Sequence, residues 1–246
     1  MDEFKESRRT FLRGTVIGGT AAASVALPLA GLAQQAANTA APPGPAPAPA
    51  AAEVPAGYVF LTPEEQAFVE TLVDHMSPAD GDFPGGMDLG LHTFIDRALA
   101  QDWGKGDRLY ANGPWKQGTP NQGYQLPMTP AQLARTGIRT ANAACTEKYG
   151  KSFDQLTEAQ REEVLKSMQA GSMELKDGPP SKEFFALLLQ MVVEGTFADP
   201  IYGGNKDKAA WKAIGFPGVV ATHALDIVNY RNKPYPTKPL SIADLA

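Results

Sequence analysis

The chain has 246 residues, of which 43% are hydrophobic and 9% aromatic, proportions that are ordinary for a globular domain with a buried core. Its formal net charge is −5, which becomes −6 when the first 33 residues are left out. A mildly acidic chain without a cluster of Lys and Arg is not expected to bind nucleic acid or an anionic lipid face.

The N-terminus has the layout of a twin-arginine (Tat) export signal. The residues that carry the signature are Arg8, Arg9, Phe11 and Leu12. Residues 15–33, behind them, carry no charge and are rich in Ala, Gly, Leu and Val. This order predicts a precursor that the Tat translocase exports already folded, with cleavage after Ala33. A permanent membrane anchor is the alternative, because residues 15–33 are about long enough to span a bilayer.

The sequence divides into three segments. Residues 1–33 form the predicted twin-arginine signal peptide, and residues 34–57 form a linker. Pro and Ala alternate over residues 40–52 of this linker, and such a composition cannot bury enough apolar area to become ordered, so we expect an extended, disordered tether. Residues 58–246 are predicted to form a single domain.

Helical signals follow one another along this domain. Thr62 and Thr129 each precede a proline, and Thr62 and Thr157 have Glu65 and Gln160 three residues later, which predicts helix starts with capping boxes. A further helix over residues 89–103 is predicted from apolar residues at helical spacing, namely Leu91, Phe94, Ile95, Ala98 and Leu99.

A fifth helix is predicted to begin with Ser181 as its cap. Its residues 184–193 are apolar on nearly every side, which is typical of a central helix packed by the others. No hairpin turn joins two alternating runs. The sequence therefore predicts an all-α, single helical domain with long Pro- and Gly-rich loops, such as residues 104–127 and 199–217.

Motifs for chemistry are missing from the chain. A single cysteine cannot hold an iron–sulfur cluster, attach a c-type haem or build a cysteine-based zinc site. The three histidines, His75, His92 and His223, are scattered, and no phosphate-binding glycine motif occurs. We therefore predict no catalytic residue, no cofactor-binding residue and no metal ligand in this chain.

Cys145 is the one cysteine, and two interpretations are open. Its place among apolar residues on the helix predicted to begin after Thr129 favours burial as a small apolar side chain. An unpaired thiol in an oxidising compartment is also able to form a disulfide with another chain.

Two blocks of sequence are more specific than the helical pattern around them. The first block reads MSPADGDFPGG at residues 76–86, with HTFIDR at residues 92–97. The second reads EGTFADPIYGGN at residues 194–205, with Trp211 and IGFPG at residues 214–218 after it. Together the two blocks resemble the gluconate 2-dehydrogenase subunit 3 family. The resemblance spans residues 58–230, although Gly86-Met87 departs from the Ala-rich version expected of the family.

This resemblance implies a small subunit without activity of its own. Members of the family pair with a FAD-containing large subunit of the glucose–methanol–choline type, and often with a multihaem cytochrome c subunit. The large subunit oxidises the sugar acid, with FAD in that subunit and haem c in the cytochrome. The small subunit is expected to assist maturation and Tat export of the large one, in the periplasm at the outer face of the inner membrane.

Aromatic residues among the turns of the second block are candidates for a partner interface, because aromatics dominate interface hot spots. The alternative is that they close the core of the domain beneath a long loop. With the cysteine, the candidate interface residues are Cys145, Tyr202, Asn205, Trp211 and Phe216.

Three further functions remain as alternatives. One is the small subunit of a related glucose, 2-ketogluconate or polyol dehydrogenase. Another is a free export chaperone that leaves its client after translocation. The last is a free-standing periplasmic enzyme that combines His75 with nearby carboxylates, of which the candidates are Asp74, Asp80, Asp82 and Asp96.

Overall fold

The structure is a computed structural model, and it describes residues 57–107, 109, 112–116, 118–119, 125–219, 222–236 and 238–245. These residues fall within one compact unit, Pro47–Ala246. The predicted export signal with Arg8, Arg9, Phe11 and Leu12, the cleavage site Ala33 and the linker before Gly57 lie outside the described residues.

The described chain contains seven α-helices. They are α1 (Pro63–Met76), α2 (Leu91–Ala100), α3 (Pro130–Tyr149), α4 (Glu158–Ala170), α5 (Ser181–Phe197), α6 (Ala209–Ile214) and α7 (Ala224–Asn229). Short 3-10 helices lie at Phe153–Gln155, Pro200–Tyr202, Lys206–Lys208 and Ile242–Leu245. Two isolated β-bridges occur in the described ranges, which contain no β-strand. The prediction of an all-α fold is confirmed.

Three of these helices begin at a threonine that closes a capping box. The side chains of Thr62, Thr129 and Thr157 each accept a hydrogen bond from the backbone N–H three residues later. The Glu or Gln at that position accepts the threonine's own backbone N–H in return. These reciprocal bonds satisfy donors that a helix start leaves free, so the starts of α1, α3 and α4 are confirmed.

The starts of α2 and α5 differ from the prediction. α2 begins only at Leu91, because Gly90 stands before it in the left-handed region, with φ of 77°. α5 is not capped by Ser181. Instead Pro180 is at the N-cap position, because its carbonyl oxygen accepts the backbone N–H of Phe184, and Ser181 is the first helical residue.

α5 lies at the centre of the helical body, as predicted. It contacts α2, α3, α4 and α6. Its Phe184 meets Phe68 of α1 with 6.3 Å between ring centroids, and Phe153 stacks on Phe68 at 4.6 Å. All three rings are fully buried.

Within the described ranges, no helix is long and apolar enough to cross a membrane.

The central position of α5 does not bury the helix on every side. Leu189, Val193 and Phe197 are 41%, 49% and 46% exposed. They are four residues apart, so they form one stripe along the helix. The neighbouring helices cover the other side, which carries Phe184, Leu188 and Met191.

The chain enters the helical body through a clamp on residues 59–61. The Asp96 carboxylate of α2 is buried and accepts the backbone N–H groups of Val59, Phe60 and Leu61 at 2.8–2.9 Å. Arg135 of α3 donates to the Phe60 carbonyl oxygen at 2.9 Å and lies over its ring. The segment before α1 is therefore bound to both α2 and α3.

Residues 199–217 were predicted to be a long loop, and this is wrong. They contain two 3-10 helices and α6. These elements have three to six residues each, too few to show a helical period in the sequence. The six residues of α7 escaped prediction for the same reason.

Candidate functional site

The segment after α5 is held by two buried side chains. Asp199 accepts the backbone N–H of Ile201 at 3.0 Å with one carboxylate oxygen and that of Ile242 at 2.9 Å with the other. Asn205 is fully buried in the left-handed region, with φ of 45°. Its amide donates to the Ala198 carbonyl oxygen, and its oxygen accepts the Ala210 N–H, both at 2.9 Å. Together they fasten α6 and the C-terminal segment to the end of α5.

Close packing against α5 explains why residue 204 is a glycine. A Cβ atom on Gly204 would lie 2.2 Å from the backbone oxygen of Gly195. No real side chain tolerates that distance, so only glycine lets the two backbones approach. The block EGTFADPIYGGN is therefore a packing motif that joins the C-terminal turn of α5 to the 3-10 helices beyond it.

Trp211 on α6 belongs to this packing. It is 4% exposed, and its indole Nε1 donates to the Phe197 carbonyl oxygen at 2.8 Å. The Phe216 ring packs edge-on against it, with 5.2 Å between centroids. The aromatics of this segment were predicted either to contact a partner or to close the core of the domain. For Trp211, the structure supports the core.

Other apolar side chains of the same region face outward. Tyr202 and Phe216 are 49% and 43% exposed, and Ile214 is 63% exposed. They come after the exposed stripe of α5 in the chain, and Trp211 connects the end of that stripe to Phe216. We call the exposed set the apolar face, and its members are Leu189, Val193, Phe197, Tyr202, Ile214 and Phe216.

Cys145 and Asn205, the remaining interface candidates, lie inside the protein. Both are fully buried. Burial raises the pKa of the Cys145 thiol to about 11, so it stays protonated at neutral pH. A protonated, buried thiol is unreactive. In this conformation neither side chain presents an atom to another chain, and the burial interpretation of Cys145 is the one that the structure supports.

The residues named for a free-standing enzyme do not form one site. Asp96 holds the N-terminal clamp, and His75 of α1 lies 3.0 Å from a carboxylate oxygen of Glu162 on α4. Asp80 and Phe83 exchange backbone hydrogen bonds in a tight turn, with Asp82 exposed between them. The described residues hold no group of three His, Cys, Asp or Glu side chains that could bind a metal ion.

Sequence reasoning missed two sets of exposed apolar residues. The stripe on α5 was hidden because the helix is apolar all round, so its pattern does not reveal which side the other helices cover. The second set, Leu225, Ile227 and Val228 on α7, is 76%, 70% and 73% exposed. A helix of six residues is too short to show a helical period, so no pattern in the sequence marks this set.

Comparison with known proteins identifies the family of the chain. The sequence pattern of gluconate 2-dehydrogenase subunit 3 matches residues 63–218, which is more than half of the chain and runs from the start of α1 to Gly218. No curated protein and no solved structure matches the chain. The matched range includes both blocks of sequence that resemble the family and the packing motif at the end of α5. The chain therefore belongs to the gluconate 2-dehydrogenase subunit 3 family.

Proposed function

We propose that this chain is the non-catalytic small subunit of a periplasmic, flavin-dependent gluconate 2-dehydrogenase-type complex. In this proposal it assists maturation and Tat export of a FAD-containing large subunit of the glucose–methanol–choline type. A multihaem cytochrome c subunit receives the electrons, and the complex lies at the outer face of the inner membrane. Substrate oxidation belongs to the large subunit.

The observation that carries the proposal is the apolar face, which lies within the family-matched residues. Its six members are 41% to 63% exposed, although they include two Phe and one Tyr. Exposed apolar residues that come together in a protein surface mark interaction sites, and aromatic residues are enriched among those that contribute most to binding at protein interfaces.

The export signal explains how such a pair would leave the cytoplasm. Arg8 and Arg9 belong to this chain, whereas the cofactor to be inserted before export belongs to the large subunit. One signal then serves two chains, provided that they assemble before translocation. The small subunit is in this sense both an export escort and a permanent component of the complex.

A variant of the signal tests this proposal. Replacement of Arg8 and Arg9 by Lys in the full chain, co-expressed with the large subunit, should leave the FAD-dependent dehydrogenase activity in the cytoplasm. Arg13→Lys, in the same signal but outside the arginine pair, is the matched control and should export normally. If the activity reaches the periplasm with both arginines replaced, this chain does not carry the large subunit.

A further inference from the structure

The C-terminal segment, residues 240–245, returns to the region that follows α5 and is held there by its backbone. The Val219 N–H donates to the Leu240 carbonyl oxygen at 2.8 Å, and the Leu240 N–H donates to the Pro217 carbonyl oxygen at 3.1 Å. A Cβ atom on Gly218 would overlap the Leu240 carbonyl oxygen, so a glycine is needed for the segment to approach. Residues 217–219 therefore offer the segment a paired backbone edge.

Two side chains hold the residues that follow. The buried Asp199 carboxylate accepts the backbone N–H of Ile242 at 2.9 Å. The Lys208 ammonium donates to the Asp244 carboxylate at 2.6 Å, from a residue whose backbone is left-handed, with φ of 58°. We call residues 240–245 the latch. We call Asp199, Lys208 and the backbone of residues 217–219 the latch site.

The latch also has hydrogen bonds of its own. The Asp244 carboxylate accepts the backbone N–H of Ser241 at 2.6 Å and the Ser241 hydroxyl at 2.9 Å. This Ser-x-x-Asp arrangement caps the 3-10 helix Ile242–Leu245. The hydrogen bonds from Lys208 and then from Ser241 lower the pKa of Asp244 to about 2, so the carboxylate is charged at neutral pH. Bonds within four residues thus orient the carboxylate that Lys208 binds.

The contact between the latch and its site buries little apolar area. Leu240, Ile242 and Leu245 are 38%, 41% and 60% exposed, and none of them packs against the hydrophobic core. Phe184 and Leu188 of α5, by contrast, are fully buried. Segments with few buried apolar contacts open at a lower free energy than the core of the same protein. The latch is therefore the part of this region that can open while the helices stay packed.

We propose that residues 240–245 are an exchangeable latch, which opens as a unit and leaves a site able to bind another protein segment of the same chemistry. That chemistry is an extended residue followed by Ser-x-x-Asp. The site provides a backbone edge for the extended residue, a carboxylate that accepts an N–H, and an ammonium for the acidic side chain.

The family match agrees with a site that is separate from its occupant. The match covers the latch site except for Val219, and it ends at Gly218, before the latch begins. The family pattern therefore includes the residues that bind, but not the segment that they bind in this chain. The inference goes beyond the proposed function and does not depend on it.

Amide hydrogen exchange of the full chain tests whether the latch opens as a unit. Asp244→Asn removes the charge that Lys208 binds, and exchange should become about tenfold faster or more at the amides that cross the contact, while amides of α5 should not change. The reporting amides are those of Val219, Leu240 and Ile242.

Asp207→Asn is the matched control for this measurement. It removes the same charge beside Lys208, its side chain is exposed, and asparagine tolerates the left-handed backbone of this position. Exchange at the three reporting amides should stay as in the unaltered chain. Unchanged exchange in Asp244→Asn would overturn the latch. Faster exchange throughout α5 would also overturn it, because the segment would then belong to the cooperative fold.

A labelled peptide of residues 238–246 tests exchange of the occupant. The full chain with Asp244→Asn should bind this peptide at least tenfold more tightly than the unaltered chain, in which the attached latch competes at a high effective concentration. A peptide that itself carries Asp244→Asn should bind about tenfold more weakly. A peptide with Leu245→Ser, which alters a 60% exposed side chain, is the control and should bind like the unaltered peptide.

Two outcomes of the peptide experiment contradict the proposal. If the Asp244→Asn chain does not bind the peptide, the latch site does not accept a segment in trans. If that chain and the unaltered chain bind the peptide equally, the peptide binds elsewhere. Neither measurement uses the large subunit, so failure of the latch leaves the proposed function standing.

Discussion

The indole Nε1 of Trp211 donates a hydrogen bond of 2.8 Å to the backbone carbonyl oxygen of Phe197, the last residue of α5. This bond ties α6 to the end of the central helix. Phe216 packs against the same indole yet remains 43% exposed. One aromatic pair therefore combines a residue of the core with a residue of the surface, and the two respond differently to substitution.

Trp211→Ala should lower the free energy of unfolding by about 3–5 kcal/mol, because it leaves a cavity and an unpaired carbonyl oxygen beneath the apolar face. Phe216→Ala should lower it by about 1 kcal/mol and chiefly weaken binding of the large subunit. Urea denaturation of the isolated chain measures both values. Similar losses of stability would show that Phe216 is as much a core residue as Trp211.

Asp96→Asn should destabilise the domain by about 3 kcal/mol, because the amide keeps only one acceptor oxygen and directs a second donor at backbone N–H groups. In the native protein both carboxylate oxygens accept such groups from residues 59–61. Asp102→Asn is the control, since its 81% exposed side chain makes only a surface ion pair, and it should change stability by about 0.5 kcal/mol or less. Equal effects would mean that the clamp does not stabilise the fold.

Adjacent leucines on α5 should behave in opposite ways. Leu188→Gln places an amide in the core and should cost about 3–5 kcal/mol, since Leu188 is fully buried. Leu189→Gln should change stability by about 0.5 kcal/mol or less, because Leu189 is 41% exposed. In co-purification with the large subunit, Leu189→Gln should instead lower the recovered complex. Normal recovery would show that α5 does not contribute to the proposed partner interface.

Cys145 should resist alkylation by iodoacetamide at pH 8 in the native chain and react fully in denaturant, because its thiol is buried and protonated. Burial raises its pKa from an ordinary 9.0 to about 11. The stability that results from this shift is fully present below pH 9 and is lost as the pH rises toward 11, since the unfolded chain loses the proton first. A mobility difference between reducing and non-reducing gels of the complex would contradict this burial.

Local signals were sufficient to predict the beginnings of α1, α3 and α4. A capping box involves residues within one helical turn, so the spacing of Thr62 and Glu65 specifies its hydrogen bonds without reference to the rest of the chain. Ser181 shows the limit of such signals. It is a favourable capping residue, but Pro180 already supplies the carbonyl oxygen that begins α5, and the hydroxyl is buried instead.

The sequence by itself determined the all-helical class, three of the helix starts and the resemblance to the family, because these depend on neighbouring residues or on a matched pattern. Only the tertiary structure decided which apolar residues are covered. Leu188 and Leu189 are chemically identical neighbours, and Trp211 and Phe216 share one aromatic contact. Exposure differs within each pair because it depends on which distant helices pack against α5 and α6, and no local pattern encodes that choice.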